Sequence, residues 1–247
     1  MIRGLYTSAS GMIAQMAKND VAANNLANVN TTGFKKDTAI FRSFPEMLLK
    51  RINDPDKTAS RPIIGNLGTG AVLDEVITNN SQGSLQETGA PLNLAIAGEG
   101  YFVVKRDGKE LYTRNGNFTL DNQGFLTTAN GDRVQGQSGD IQINGKQVSV
   151  DLKGAIIVDK NSVGTLRMIT VQDPKQLVKL GDSFFTGGQA QAFKGEVRQG
   201  FLEASNVNPI VEMVDLISIM RAYETSQKAI QAHDQLLDKA VNEVGRV

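Results

Sequence analysis

Two stretches of the chain repeat their apolar residues with a helical period, and they lie at its two ends. Toward the C-terminus Leu216, Tyr223, Ile230, Leu237 and Val244 recur at every seventh position, accompanied by Met213, Met220, Gln227, Asp234 and Val241. Seven-residue spacing keeps one stripe of a helix turned toward a partner, so this pattern predicts a heptad seam. Asn208 can cap such a helix, Pro209 suits its first position, and Glu212 and Asp215 fall near the positive end of its dipole. Neither Gly nor Pro interrupts before Gly245, which predicts a rod of about 54 Å at 1.5 Å per residue. At the N-terminus Leu5, Met12, Asn19 and Leu26 form one row, and Ile2, Ala9, Met16 and Ala23 the other. A polar Asn19 in the seam weakens a coiled coil but selects its register, and the small Ala9 and Ala23 permit close approach. This helix is expected to end near Asn28, where Asn28-Val29-Asn30-Thr31-Thr32-Gly33 has the composition of a turn. Packing of either helix on an ordinary core is the plainer alternative. The same period at both ends favours a mutual seam.

Between these ends the period falls to two and turn residues abound. Tyr101 to Arg106 leads through Asp107-Gly108 into Lys109 to Thr113, a strong hairpin signal because both turn residues must accept positive φ. A second hairpin is expected with Phe118–Leu120 and Phe125–Thr127 around residues 121–124. A third would pair Ile141 and Ile143 with Val148 and Val150 across Asn144-Gly145, and further strands are expected at 155–158, 165–171 and 183–186. Residues 45–70 show no period and contain Pro45, Pro55 and Pro62, so they are expected to form an extended arm. The predicted fold is α+β: long N- and C-terminal helices forming a coiled-coil core, with a mainly antiparallel β domain between them. The expected division is 1–34 (helix and turn), 35–80 (arm), 81–204 (outer β domain) and 205–247 (C-terminal helix).

Composition narrows the function by exclusion. Lys and Arg total 26 and Asp and Glu total 26, so no excess charge draws the chain to nucleic acid or an anionic membrane. Cysteine is absent, which removes disulfides and thiolate metal sites. No apolar run approaches the roughly 20 residues of a membrane span, and no cleaved secretory signal is expected at the N-terminus. The single histidine, His233, has no carboxylate four residues away on either side, and a helix seam offers a catalytic triad no cleft. Gly65-Asn66-Leu67-Gly68-Thr69-Gly70 lacks the Lys-Ser/Thr of a phosphate loop. Glu87, Glu99 and Asp121 could in principle supply a glycosidase pair, but Trp, the usual sugar-stacking residue, is absent. No enzymatic activity, cofactor, metal or small-molecule substrate is expected.

Three stretches carry a resemblance. They are Ala22-Ala23-Asn24-Asn25-Leu26-Ala27-Asn28-Val29-Asn30-Thr31-Thr32-Gly33-Phe34-Lys35; Gln82-Gly83-Ser84-Leu85 with Pro91-Leu92-Asn93-Leu94-Ala95-Ile96, Gly100-Tyr101-Phe102 and Tyr112-Thr113-Arg114-Asn115-Gly116; and Gly200 to Asn208 followed by Met220-Arg221-Ala222-Tyr223-Glu224. In this order they resemble the rod and hook proteins of the bacterial flagellum. Within that family the length and the Ser205-Asn206-Val207-Asn208 segment are most similar to the rod subunits, distal before proximal; a hook protein carries a larger outer domain. A hook or hook-junction subunit, a muramidase of rod growth and a trimeric fibre are the alternatives. The resemblance implies a structural subunit that assembles with copies of itself and with other rod and hook subunits. It also implies export by the flagellar type III apparatus, a place in the basal body crossing the envelope, and possible bushing-ring neighbours. The implied subunit interface comprises Leu5, Met12, Met16, Asn19, Ala23, Leu26, Met213, Leu216, Met220, Tyr223, Ile230, Leu237 and Val244. Asn24, Asn25 and Asn28 would satisfy groups where the first helix ends, Gly33 would permit the turn, and Phe34 would anchor the exit.

Overall fold

The structure is a computed structural model that describes residues 2–50, 63–145, 147–159, 161–181 and 183–244. It is α+β, with mainly antiparallel strands and a helix at each end. The chain divides into two compact units, one of Met1–Asn24, Asp37–Ile77 and Ile210–Val247, the other of Asn25–Lys36 and Thr78–Pro209.

The first unit contains most of both helices, α1 (Ile2–Ala27) and α2 (Pro209–Lys239). The expected continuation of α2 is a wider turn, Ala240–Val244, with π-type hydrogen bonding. The helices run antiparallel where they meet: a Cβ added at Gly4 would lie 2.5 Å from Nε2 of His233, and one added at Gly11 would lie 3.8 Å from Oγ of Ser226. Glycine at these positions lets the backbones approach. The proline-bearing arm is strand-forming at both described ends. Met47–Lys50 pairs antiparallel with Ile63–Leu67, and Asp37–Ser43 pairs with Ala71–Thr78. Residues 51–62 of the expected arm lie outside the described residues.

The second unit is built on a ten-stranded antiparallel sheet. Its central strand, Tyr101–Arg106, is buried on both faces. Phe102 and Val104 enter a core with Leu94, Ile96, Phe118, Leu126 and Val134, while Tyr101 and Val103 pack with Ile169, Val171 and Phe185. That explains its unbroken apolar run. Two of the expected hairpins form. Asp107 and Gly108 have φ of 50° and 80°, and Phe118–Leu120 pairs with Leu126–Thr128. The third does not: Val148–Val150 pairs with Ala155–Val158. Ile141 and Ile143 are instead drawn into the core, where their backbones bond to Leu126 N and Gly124 O. Burial of two isoleucines outweighs a local turn preference. Two further pairs, Leu94–Ala97 with Glu196–Gln199 and Leu85–Glu87 with Phe201–Glu203, bring the chain's late strands against its early ones.

Candidate assembly interface

The two helices carry apolar side chains on more than one face. Along α2, Leu216, Tyr223, Ile230 and Leu237 are half-buried, whereas Met213 and Met220 of the companion row are exposed together with Ile210, Val214 and Ile217. Along α1, Leu5, Met12, Asn19 and Leu26 are half-buried, while Met16, Ala23, Tyr6 and Ile13 are exposed. The side chain of Val244 lies outside the described residues. Gln15, Met16, Asn19, Asp20, Ile219, Met220 and Tyr223 line a groove of about 230 Å³ between the helices. Large apolar groups clustered on an exposed face mark an interaction surface.

The residues following α1 belong to the β unit. Asn24 is exposed, Asn25 is buried, and half-buried Asn28 accepts a hydrogen bond through Oδ1 from the Thr31 hydroxyl at 3.0 Å. Gly33 turns the chain at φ 69°. Its Cα faces the backbone of Arg114 and Asn115 so closely that an added Cβ would lie 2.5 Å from both. Phe34 is fully buried, with the Lys179 ammonium 3.8 Å from its ring centre.

Next along the chain stands a buried charge cluster. The Lys35 and Glu203 side chains have no exposure, and Lys35 Nζ donates to Glu203 Oε1 at 2.5 Å and to the Ser81 carbonyl at 2.7 Å. Glu203 Oε1 also accepts from Gly83 N, and its Oε2 from Arg114 Nη1 at 3.3 Å. Arg114 donates to the Gly98 carbonyl and stacks over Tyr101. Burial lowers the Lys35 pKa against the pull of Glu203 and raises that of Tyr101. The segments after α1 and before α2 also bond directly to each other. Gly33 N donates to the Glu203 carbonyl at 2.8 Å, and Lys36 N to Asn206 Oδ1 at 2.7 Å.

Lys35, Arg114, Glu203 and Asn206 all stand in the stretches that carried the resemblance, yet their spacing assigned them no role. The available signal was a charge amid apolar and glycine-rich neighbours; which charges meet is decided by the fold. Among the described residues no group of three or more His, Asp or Glu side chains could hold a metal.

Comparison with known proteins matches three regions, each overlapping one of those stretches. Residues 5–35 match the family "Flagella basal body rod protein", residues 95–158 the "Flagellar hook protein FlgE/F/G D1 domain", and residues 198–243 the "Flagellar basal body rod FlgEFG protein C-terminal". Each region contributes one member of the charge cluster. The flagellar basal-body rod protein FlgG of Borreliella burgdorferi is 34% identical, with 98% of each chain covered. FlgG of Bacillus subtilis is 32% identical over 98% of this chain and 99% of its own. The rod protein FlgF of Caulobacter vibrioides is 32% identical over the whole of both chains. Matched along its whole length by rod proteins, the chain belongs to the FlgE/F/G family of flagellar rod and hook proteins and is a structural, non-enzymatic rod subunit of the flagellar basal body.

Proposed function

We propose that this subunit polymerises helically through its terminal helices into the drive shaft that carries motor torque to the hook. The observation that carries this reading is the apolar surface left uncovered on α1 and α2, with Ile13 68%, Ile210 70% and Ile217 57% exposed. A chain acting alone gains nothing from such exposure, whereas neighbours that bury it gain about 25 cal/mol for each Å². In this reading residues 1–34 and 205–247 are the assembling ends and form a coiled-coil core, residues 81–204 lie outside it, and the 35–80 arm touches neighbours. The interface is formed by Leu5, Met12, Met16, Asn19, Ala23, Leu26, Met213, Leu216, Met220, Tyr223, Ile230, Leu237 and Val244. Asn24, Asn25, Asn28, Gly33 and Phe34 fix the exit from the first helix. The helices gain much of their order on assembly, which keeps the chain threadable for type III export and prevents polymerisation in the cytoplasm. Bushing-ring proteins then surround the rod where it crosses the envelope.

The test is electron microscopy of cells lacking this gene, complemented by the full chain or by residues 1–208. Basal bodies without hooks, restored only by the full chain, are expected. Normal hooks and filaments in the deletion strain would rule out the rod reading. Asp substituted at Leu26, Leu216 or Ile230 is expected to abolish assembly while sparing the β domain.

A further inference from the structure

The charge cluster has an arithmetic that goes beyond stability. Two cations, Lys35 and Arg114, share one carboxylate, Glu203, with all three side chains almost wholly out of water. Removing Lys35 leaves a balanced pair; removing the Glu203 charge leaves two buried cations with no counter-ion, much the costlier state. Glu203 is also where the segment that follows α1 meets the segment that precedes α2. Gly33 N reaches its carbonyl, Lys35 reaches its carboxylate, and Lys36 N reaches Asn206 three residues later. These three bonds join residues 33–36, just beyond α1, to residues 203–206, just before α2, and they span 168 to 170 positions of sequence. Asn206 Nδ2 ties the same point to the Asn79 and Ser81 carbonyls. The roots of both helices are thus bound to each other and to one β unit.

We propose that Glu203 is a positioning residue for assembly: it locks the two helix roots together, so that a subunit presents both helices from one fixed point. Holding two segments at a common root replaces a search between free ends by a local one and raises their effective concentration. A chain with either end unseated retains its β strands but loses the common root from which its two helices leave them. The lock acts through the helices. It rests on the reading that subunits assemble through those helices.

Full-length Glu203→Gln and Lys35→Met are compared with Asp132→Asn, which breaks the Arg106–Asp132 pair at 2.6 Å in the same unit, away from the roots. Amide exchange in the monomer is read at Gly33 and Lys36, and in strand 101–106 as reference. Both root variants are expected to exchange at least about tenfold faster at the roots than the parent, relative to the reference strand. They are also expected to complete at least about tenfold fewer rods, while Asp132→Asn completes the parental number. If Glu203→Gln unfolds altogether, Lys35→Met decides, because its remaining pair is balanced in charge. Parental rod numbers in the root variants, or an equal loss in Asp132→Asn, overturn the proposal. Leu216→Asp separates the two levels. If it too assembles, assembly through the helices is wrong; if it alone is blocked, only the lock is wrong.

Discussion

Substituting Gly33 by Ala separates the cost of a seated helix root into parts. At φ 69° Gly33 occupies the left-handed region, where a residue with a Cβ is strained by roughly 1–2 kcal/mol. The new methyl would also lie 2.5 Å from the carbonyl carbon of Arg114 and from the amide nitrogen of Asn115. These are backbone atoms with no rotamer to move to, so the segment must shift, at a cost of roughly 1–3 kcal/mol. Together the terms give roughly 2–5 kcal/mol. Gly131 supplies the control. Its φ is 86°, but nothing lies within 4 Å of an added Cβ, so Gly131→Ala carries only the conformational term. For a chain of this size 1 kcal/mol moves Tm by about 2–4 °C. Gly33→Ala should therefore lower Tm by roughly 4–20 °C and Gly131→Ala by roughly 2–8 °C. Thermal melting followed by near-UV circular dichroism, where Tyr101 and Tyr112 report on the β unit, measures both. Equal losses would mean that contact with the 114–115 backbone contributes nothing, and the tightly seated root would have to be abandoned.

Other expectations follow from single contacts. The Arg106 guanidinium holds the Asp132 carboxyl below its ordinary value of 3.8, so its stabilisation is complete above that value and is lost as pH falls through the lower folded one. Asp132→Asn should cost roughly 1–2 kcal/mol at neutral pH and flatten the acid limb of a denaturation series; an unchanged limb refutes the assignment. Arg167 and Glu110 pair at the surface, each more than 40% exposed, and Glu110→Gln should change stability by no more than about 0.5 kcal/mol. Because the chain has no cysteine, Gly11→Cys with Ser226→Cys would introduce a single possible disulfide. It should form within one monomer, visible as a mobility shift on non-reducing gels, because the 3.8 Å approach is within reach of that bond. Failure to form it in a monomer whose far-UV circular dichroism shows both helices formed would contradict the antiparallel pairing of α1 with α2.

Much was legible without coordinates because it was written in local patterns. Pro209 and the uninterrupted run after it announce α2, the turn composition after Asn28 marks the end of α1, and Asp107-Gly108 can hardly do other than turn. Each depends on neighbours within a few residues, and those neighbours are the sequence. The failed third hairpin shows the limit. Asn144-Gly145 has turn chemistry as good as its predecessors, but Ile141 and Ile143 had a core to enter, and the partner strand for 148–150 came from the other side.

The heptads carry the same lesson further. Periodicity alone determined that α1 and α2 each have apolar stripes. Only the tertiary structure decided that Leu216, Tyr223, Ile230 and Leu237 are half-buried while Met213 and Met220 stay open, because a helix with apolar groups around much of its circumference does not say which side meets its own chain. Lys35, Arg114 and Glu203 are the extreme case. As letters they are three ordinary charges separated by 89 and 168 positions. Their pairing exists only once the strands around them have closed and water has been excluded, and the energy of a charge is set by that exclusion, not by its place in the sequence.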